Sequence, residues 1–117
     1  MNLFISIGPP SSPENCQILN HTAENIEVTC VAGFDGGMTQ QFLAEVYEND
    51  GSRLHLNTSS SEPQFSVQSL QPGTTYVIKI SAFNDKGRSE PKSITAYTLK
   101  VAEKRMGEFH ISLMYDI

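Results

Sequence analysis

The chain has 117 residues, 38% of them hydrophobic, and a formal net charge of −5. That length fits one domain of ordinary size. The acidic balance excludes a binder of nucleic acid or of an anionic membrane surface, which needs a basic face, and no apolar run is long enough to insert as a membrane helix.

The opening Met1-Asn2-Leu3-Phe4-Ile5-Ser6-Ile7 is apolar but lacks the basic start and small-residue cleavage site of a secretion signal. Residues 1–9 are therefore expected to be an N-terminal remnant and linker. Gly8-Pro9-Pro10-Ser11-Ser12-Pro13 should run extended into the first strand, because proline fixes φ and removes donors. Strands are then expected at Cys16–Leu19, at Ile26–Val31 with Ile26, Val28 and Cys30 on one face, and at Gln41–Tyr47 with Phe42, Ala44 and Val46 inward. Gly33, Asp35, Gly36 and Gly37 form a loop between the second and third of these. Asn49-Asp50-Gly51 is a hairpin signal leading to a short strand, Arg53–Asn57, followed by a polar loop from Thr58 to Pro63. Phe65 and Val67 point inward from the next strand. Tyr76, Ile78, Ile80 and Ala82 alternate with Val77, Lys79, Ser81 and Phe83, the period of a strand with one buried face. A Pro-Gly turn precedes that strand and Asn84-Asp85-Lys86-Gly87 turns the chain after it. Leu70, Pro72 and Tyr76 have the spacing of a tyrosine corner, in which a phenol hydrogen-bonds back to the preceding loop. The last strand is expected at Ser93–Leu99. The domain is thus bounded at 10–99, and 100–117 is a tail or linker with a small basic group at Lys100, Lys104 and Arg105.

Nothing in this pattern carries catalysis. His21, His55 and His110 are expected at the surface, and none has a second ligand at metal-binding spacing. Ser59, Ser60 and Ser61 lack a nucleophile elbow. The Asp-Gly and Asn-Asp-Gly clusters are turn chemistry, not calcium loops. No enzyme activity, catalytic residue, cofactor or metal is assigned. Asn20-His21-Thr22 and Asn57-Thr58-Ser59 have the acceptor form for N-glycosylation, and Asn20 and Asn57 are expected to be exposed, one in a turn and one at a strand end. Two sequons, an even cysteine count and an all-β pattern together point to an oxidising, extracellular setting. Strand parity places Leu43, Glu45 and Tyr47 beside Val77, Lys79 and Phe83 on an outward face, with Tyr97 nearby. This is a candidate interaction face for protein partners. The competing account is that these side chains pack against the stems of Lys79 and Arg53 and stabilise the sheet with no partner at all.

The run Leu70 to Pro91, taken with Asn84, Gly87, Ser89 and Glu90, resembles the last two strands of a fibronectin type III domain. The resemblance implies a seven-stranded, immunoglobulin-like all-β sandwich. Such domains usually carry a core Trp at the end of the second strand; here Ile26-x-Val28-x-Cys30 puts Cys30 there, and the chain has no Trp. In that fold the strands holding Cys16 and Cys30 are antiparallel neighbours, so a Cys16–Cys30 disulfide is expected. Cys30-Val31-Ala32-Gly33-Phe34-Asp35-Gly36-Gly37, followed by Gln41-Phe42 and Glu45-Val46, resembles the membrane-proximal fibronectin domain of invertebrate immunoglobulin-superfamily adhesion and axon-guidance proteins of the Sidestep kind, and more loosely the nephrin kind. That likeness implies a non-catalytic structural or interaction module in the ectodomain of a single-pass plasma-membrane protein. Its expected partners are cell-surface immunoglobulin-superfamily proteins, with the isolated domain monomeric. The alternatives are a ligand-binding receptor domain and an accessory module of a secreted enzyme. Asp85-Lys86-Gly87-Arg88 departs from the Arg-Gly-Asp of integrin-binding relatives, so that role does not carry over.

Overall fold

The computed structural model describes residues 6–48 and 52–101, together with the backbone of 113–114. Its strands are β1 (Glu14–His21), β2 (Ile26–Val31), β3 (Gln41–Glu48), β4 (Arg53–Ser60), β5 (Gln64–Val67), β6 (Thr75–Asn84), β7 (Gly87–Arg88), β8 (Lys92–Tyr97), β9 (Lys100–Val101) and β10 (Leu113–Met114). They form two antiparallel sheets packed as a sandwich. One has the order β1-β2-β5. The other has the order β4-β3-β6, and β7 and β8 both pair with β6. β7 and β8 are successive halves of one final strand. Ser89 bridges the break by donating its N–H to the Ala82 carbonyl and accepting the Ala82 N–H on its hydroxyl. β9 and β10 make a separate two-stranded pairing in the tail; Lys104, Arg105 and His110 lie outside the described residues.

Period-2 patterning decides what is buried. Ile26, Val28 and Cys30 of β2 and Phe65 and Val67 of β5 face Phe42, Ala44 and Val46 of β3 and Tyr76, Ile78, Ile80 and Ala82 of β6. Ala96 and Leu70 complete this core, with Cys16, Ile18, Leu56 and Ile94 packed against it. At about 1.5–3 kcal/mol for each fully buried large aliphatic, this layer supplies most of the drive to fold.

β1 is longer than the sequence suggests and irregular. Its register against β2 shifts between Glu14 and Gln17 and again between Ile18 and Asn20. Asn15, with φ 52°, sits at the first shift, a conformation that Asn tolerates better than most residues. Two residues, Asn15 and Cys16, thereby oppose Cys30, and Cys16 and Cys30 are joined by a disulfide with Cα atoms 4.0 Å apart. The second shift turns both Leu19 and Asn20 outward, so Asn20 is a strand residue and not part of the turn.

The loop after Val67 closes on Tyr76. The phenol is fully buried, and its oxygen accepts the Gln71 N–H at 2.9 Å. Thr98, also fully buried, fastens the same corner from the far end of the chain. Its hydroxyl accepts the Thr74 N–H at 3.0 Å and donates to the Gln71 carbonyl at 2.6 Å.

At the opposite pole, the segment Gly8–Pro13 is held by two loops. Gly8 donates to the Gly36 carbonyl and Ser11 to the Phe34 carbonyl. The Asn84 amide donates to the carbonyls of both Gly8 and Asp35, at 2.9 Å each. Gly36 has φ +79°, and a Cβ there would lie 2.1 Å from the Gly8 carbonyl oxygen, so only glycine fits.

Candidate interaction face

The outer face of the larger sheet is a set of cross-strand rows. Asn57 of β4, Glu45 of β3, Lys79 of β6 and Ser93 of β8 stand opposite one another in one row. Leu54, Tyr47, Val77 and Thr95 form the next. Ser59, Leu43 and Ser81 form a third. Such pairs interact directly across about 5 Å.

The charged members of the face are held by neighbours on the same sheet. Arg88 pairs with the Glu45 carboxylate and also donates to the Ser81 hydroxyl at 3.0 Å. That second bond explains why Ser81 is buried although its parity is outward. The Lys79 ammonium lies 5.0 Å from the centroid of the Tyr47 ring, a cation–π contact. Leu43, Glu45, Tyr47, Val77, Lys79 and Phe83 are all partly buried. The most exposed apolar side chains on this side are Leu54 of β4 and Tyr97 of β8, at its two margins. The face therefore offers a layer of half-covered aromatic and aliphatic groups beneath an internally neutralised Glu45–Arg88 pair.

Sequence reasoning misplaced several neighbours of this face. β4 continues to Ser60, so Thr58–Ser60 is strand and not loop, and Asn57 lies in mid-strand. The register shift between Val46 and Tyr47 turns His55 inward. There it is half-buried, bonded through Nδ1 to Glu48 Oε2 at 3.0 Å, with its ring 5.7 Å from that of Tyr76. His21 is also half-buried. Its Nδ1 donates to the Tyr97 carbonyl at 2.7 Å and its ring meets the Tyr97 ring edge-on. The bulges that turn these imidazoles leave no mark in the hydrophobic alternation. Among the described residues there is no group of three or more His, Cys, Asp or Glu side chains able to hold a metal, and no helix long and apolar enough to cross a membrane. Thr98 and Asn84, which fasten the two poles, carried only a weak signal. Asn84 was legible as a turn former and does cap its own turn through the Lys86 N–H, but its bonds to Gly8 and Asp35 span distant parts of the chain.

The sequence is 40% identical over 85 residues to the mouse tyrosine-protein kinase Mer, covering 68% of this chain and 9% of that protein. It is 30% identical over 89 residues to human nephrin, covering 74% and 7%, and 32% identical over 89 residues to the mouse cell adhesion molecule DSCAML1, covering 74% and 4%. The chain thus spans less than a tenth of each of these relatives. Among solved structures, domains d3–d4 of the rat CD45 extracellular region superpose with a TM-score of 0.71 at 22% identity, over 79% of this chain and 51% of that one. Titin domains A168–A170 give 0.68 at 21% identity, over 76% and 32%; both likenesses are of fold. The fibronectin type III domain model matches residues 11–98, the span that holds both sheets, the disulfide and the tyrosine corner, and the chain belongs to that family.

Proposed function

We propose that this domain is a non-catalytic, extracellular interaction and spacing module in the ectodomain of a single-pass, immunoglobulin-superfamily membrane protein acting in cell adhesion or axon guidance. The observation that carries the proposal is the Cys16–Cys30 disulfide across β1 and β2 of a fibronectin type III sandwich similar to nephrin and to the adhesion molecule DSCAML1. Such bonds persist in oxidising compartments. The partner surface is the outer face of the larger sheet, centred on Tyr47, Val77 and Lys79. The likeness to Mer favours a second reading, a ligand-binding receptor ectodomain with its catalytic part elsewhere. Both readings give this domain a protein partner and no chemistry of its own.

The test uses the full ectodomain displayed on cells. A Lys79→Glu, Tyr47→Ala variant removes the cation–π pair and reverses one charge while leaving the core intact. Reduced cell–cell aggregation at normal surface expression supports an adhesive face. Reduced capture of a soluble ligand with normal aggregation supports the receptor reading. Normal binding in both assays, with loss only on deleting other domains, makes the module a spacer.

A further inference from the structure

The sequon Asn57-Thr58-Ser59 lies on the proposed partner face itself. Asn57 is exposed, in the middle of the eight-residue edge strand β4, directly opposite Glu45 and in the row that continues to Lys79. Ser59, two residues on, is also exposed and stands opposite Leu43. Both side chains point off the outer surface of the sheet. Two strand spacings, about 10 Å, separate Asn57 from Lys79. An N-linked glycan is bulky and hydrated and exceeds that span once branched.

We infer that Asn57 carries an N-linked glycan that covers the outer face of the larger sheet and so governs access to Tyr47, Val77 and Lys79. This rests on the extracellular reading above and specifies the regulation of that face. Two further observations fit a sugar as the cover. The Glu45 carboxylate is paired with Arg88 and the Lys79 ammonium rests over the Tyr47 ring, so neither opposes a neutral sugar layer. Leu54, exposed on the same edge strand, gains a neighbour that keeps other chains off β4. An open eight-residue edge is otherwise a template for strand pairing, and a glycan there acts as a guard. Glycan-bearing and glycan-free copies of the protein then differ in what this face can touch, with no change in fold.

The experiment uses the whole chain secreted from a glycosylating cell, as wild type, Asn57→Gln and Ser59→Ala, with enzymatically deglycosylated wild type as a fourth sample. Mass spectrometry reads glycan occupancy at Asn57 and Asn20 and the state of Cys16 and Cys30. A bulky amine-reactive ester then labels lysines, and Lys79 is scored against Lys86, which lies in the turn between β6 and β7. The expected result is an occupied Asn57 and Lys79 labelling several-fold lower in the glycosylated protein than in the other three samples, with Lys86 unchanged. Deglycosylation uses an endoglycosidase that leaves a single N-acetylglucosamine on an intact Asn57, so this sample keeps the native sequence and a folding defect in either variant leaves the comparison intact. A bare Asn57 beside an occupied Asn20 and an intact disulfide overturns the inference and leaves the extracellular reading standing. So does an occupied Asn57 with unaltered Lys79 labelling. Bare sequons at both sites with free thiols overturn the two together.

Discussion

Tyr76 and Gly36 show how much individual residues fix in this sandwich. The Tyr76 ring fills the core while its oxygen accepts one N–H from Gln71. Tyr76→Phe keeps the ring and unpairs that donor. Gln71 is exposed and water replaces the lost partner, so the loss belongs at the low end, on the order of 1 kcal/mol, seen as a lower denaturant midpoint at unchanged slope. Gly36→Ala is more damaging, because the new Cβ meets the Gly8 carbonyl and the residue must hold φ +79°. A cost of about 1–3 kcal/mol is expected, with faster hydrogen exchange at the Gly8 and Ser11 amides while Ile78 and Ile80 stay protected. Tyr76 was legible from its spacing to Leu70 because the corner is local. The Gly36 requirement was not. The sequence shows a glycine-rich loop, but the backbone that presses on it, at Gly8 and Pro9, lies 27 to 28 positions earlier.

Among the elements, β1 and β4 were the least legible and β3 and β6 the most. β3 and β6 lie inside their sheet with one face in the core, so every second residue, Phe42, Ala44 and Val46 in one and Tyr76, Ile78, Ile80 and Ala82 in the other, is apolar and buried. β4 is an edge strand, and half of its ladder faces solvent. Asn57, Thr58, Ser59 and Ser60 satisfy β3 through backbone bonds alone, and polar side chains there read as loop. β1 hides its strand character through two register shifts. Its attachment to β2 is covalent as well as hydrogen-bonded, so Cys16→Ala with Cys30→Ala should lower stability by about 3 kcal/mol on chain-entropy grounds. The same change should free the β1 amides to exchange before those of β2, β3 or β6. Equal exchange rates across β1 and β2 in that variant would show that the bond does not hold the edge.

For the molecule as a whole, the core is a single contiguous layer between two sheets, the condition for cooperative unfolding. Residues 10–99 are expected to unfold in one transition, coincident by far-UV dichroism and by tyrosine fluorescence. They should sediment as a monomer at micromolar concentration, since the proposed partner face is small and its Glu45 carboxylate is already paired with Arg88. A dimer disrupted by Lys79→Glu with Tyr47→Ala would instead show the face to be self-complementary.

Under the ectodomain reading proposed above, the domain also bears tension along its chain, and the disulfide sets how far it lengthens under load. Pulling on the two ends straightens every residue between them except the stretch enclosed by Cys16 and Cys30, which are 14 positions apart. At about 3.5 Å per extended residue, the oxidised chain yields roughly 45 Å less length on rupture than the reduced one. Force first strips Gly8–Pro13 from its two loops, then passes through the sulfur bridge from β1 straight into β2 in the body of the sandwich. Single-molecule stretching with and without reductant should show this as a change in contour length. The redox state of one bond thus sets the extensibility of this link in the chain.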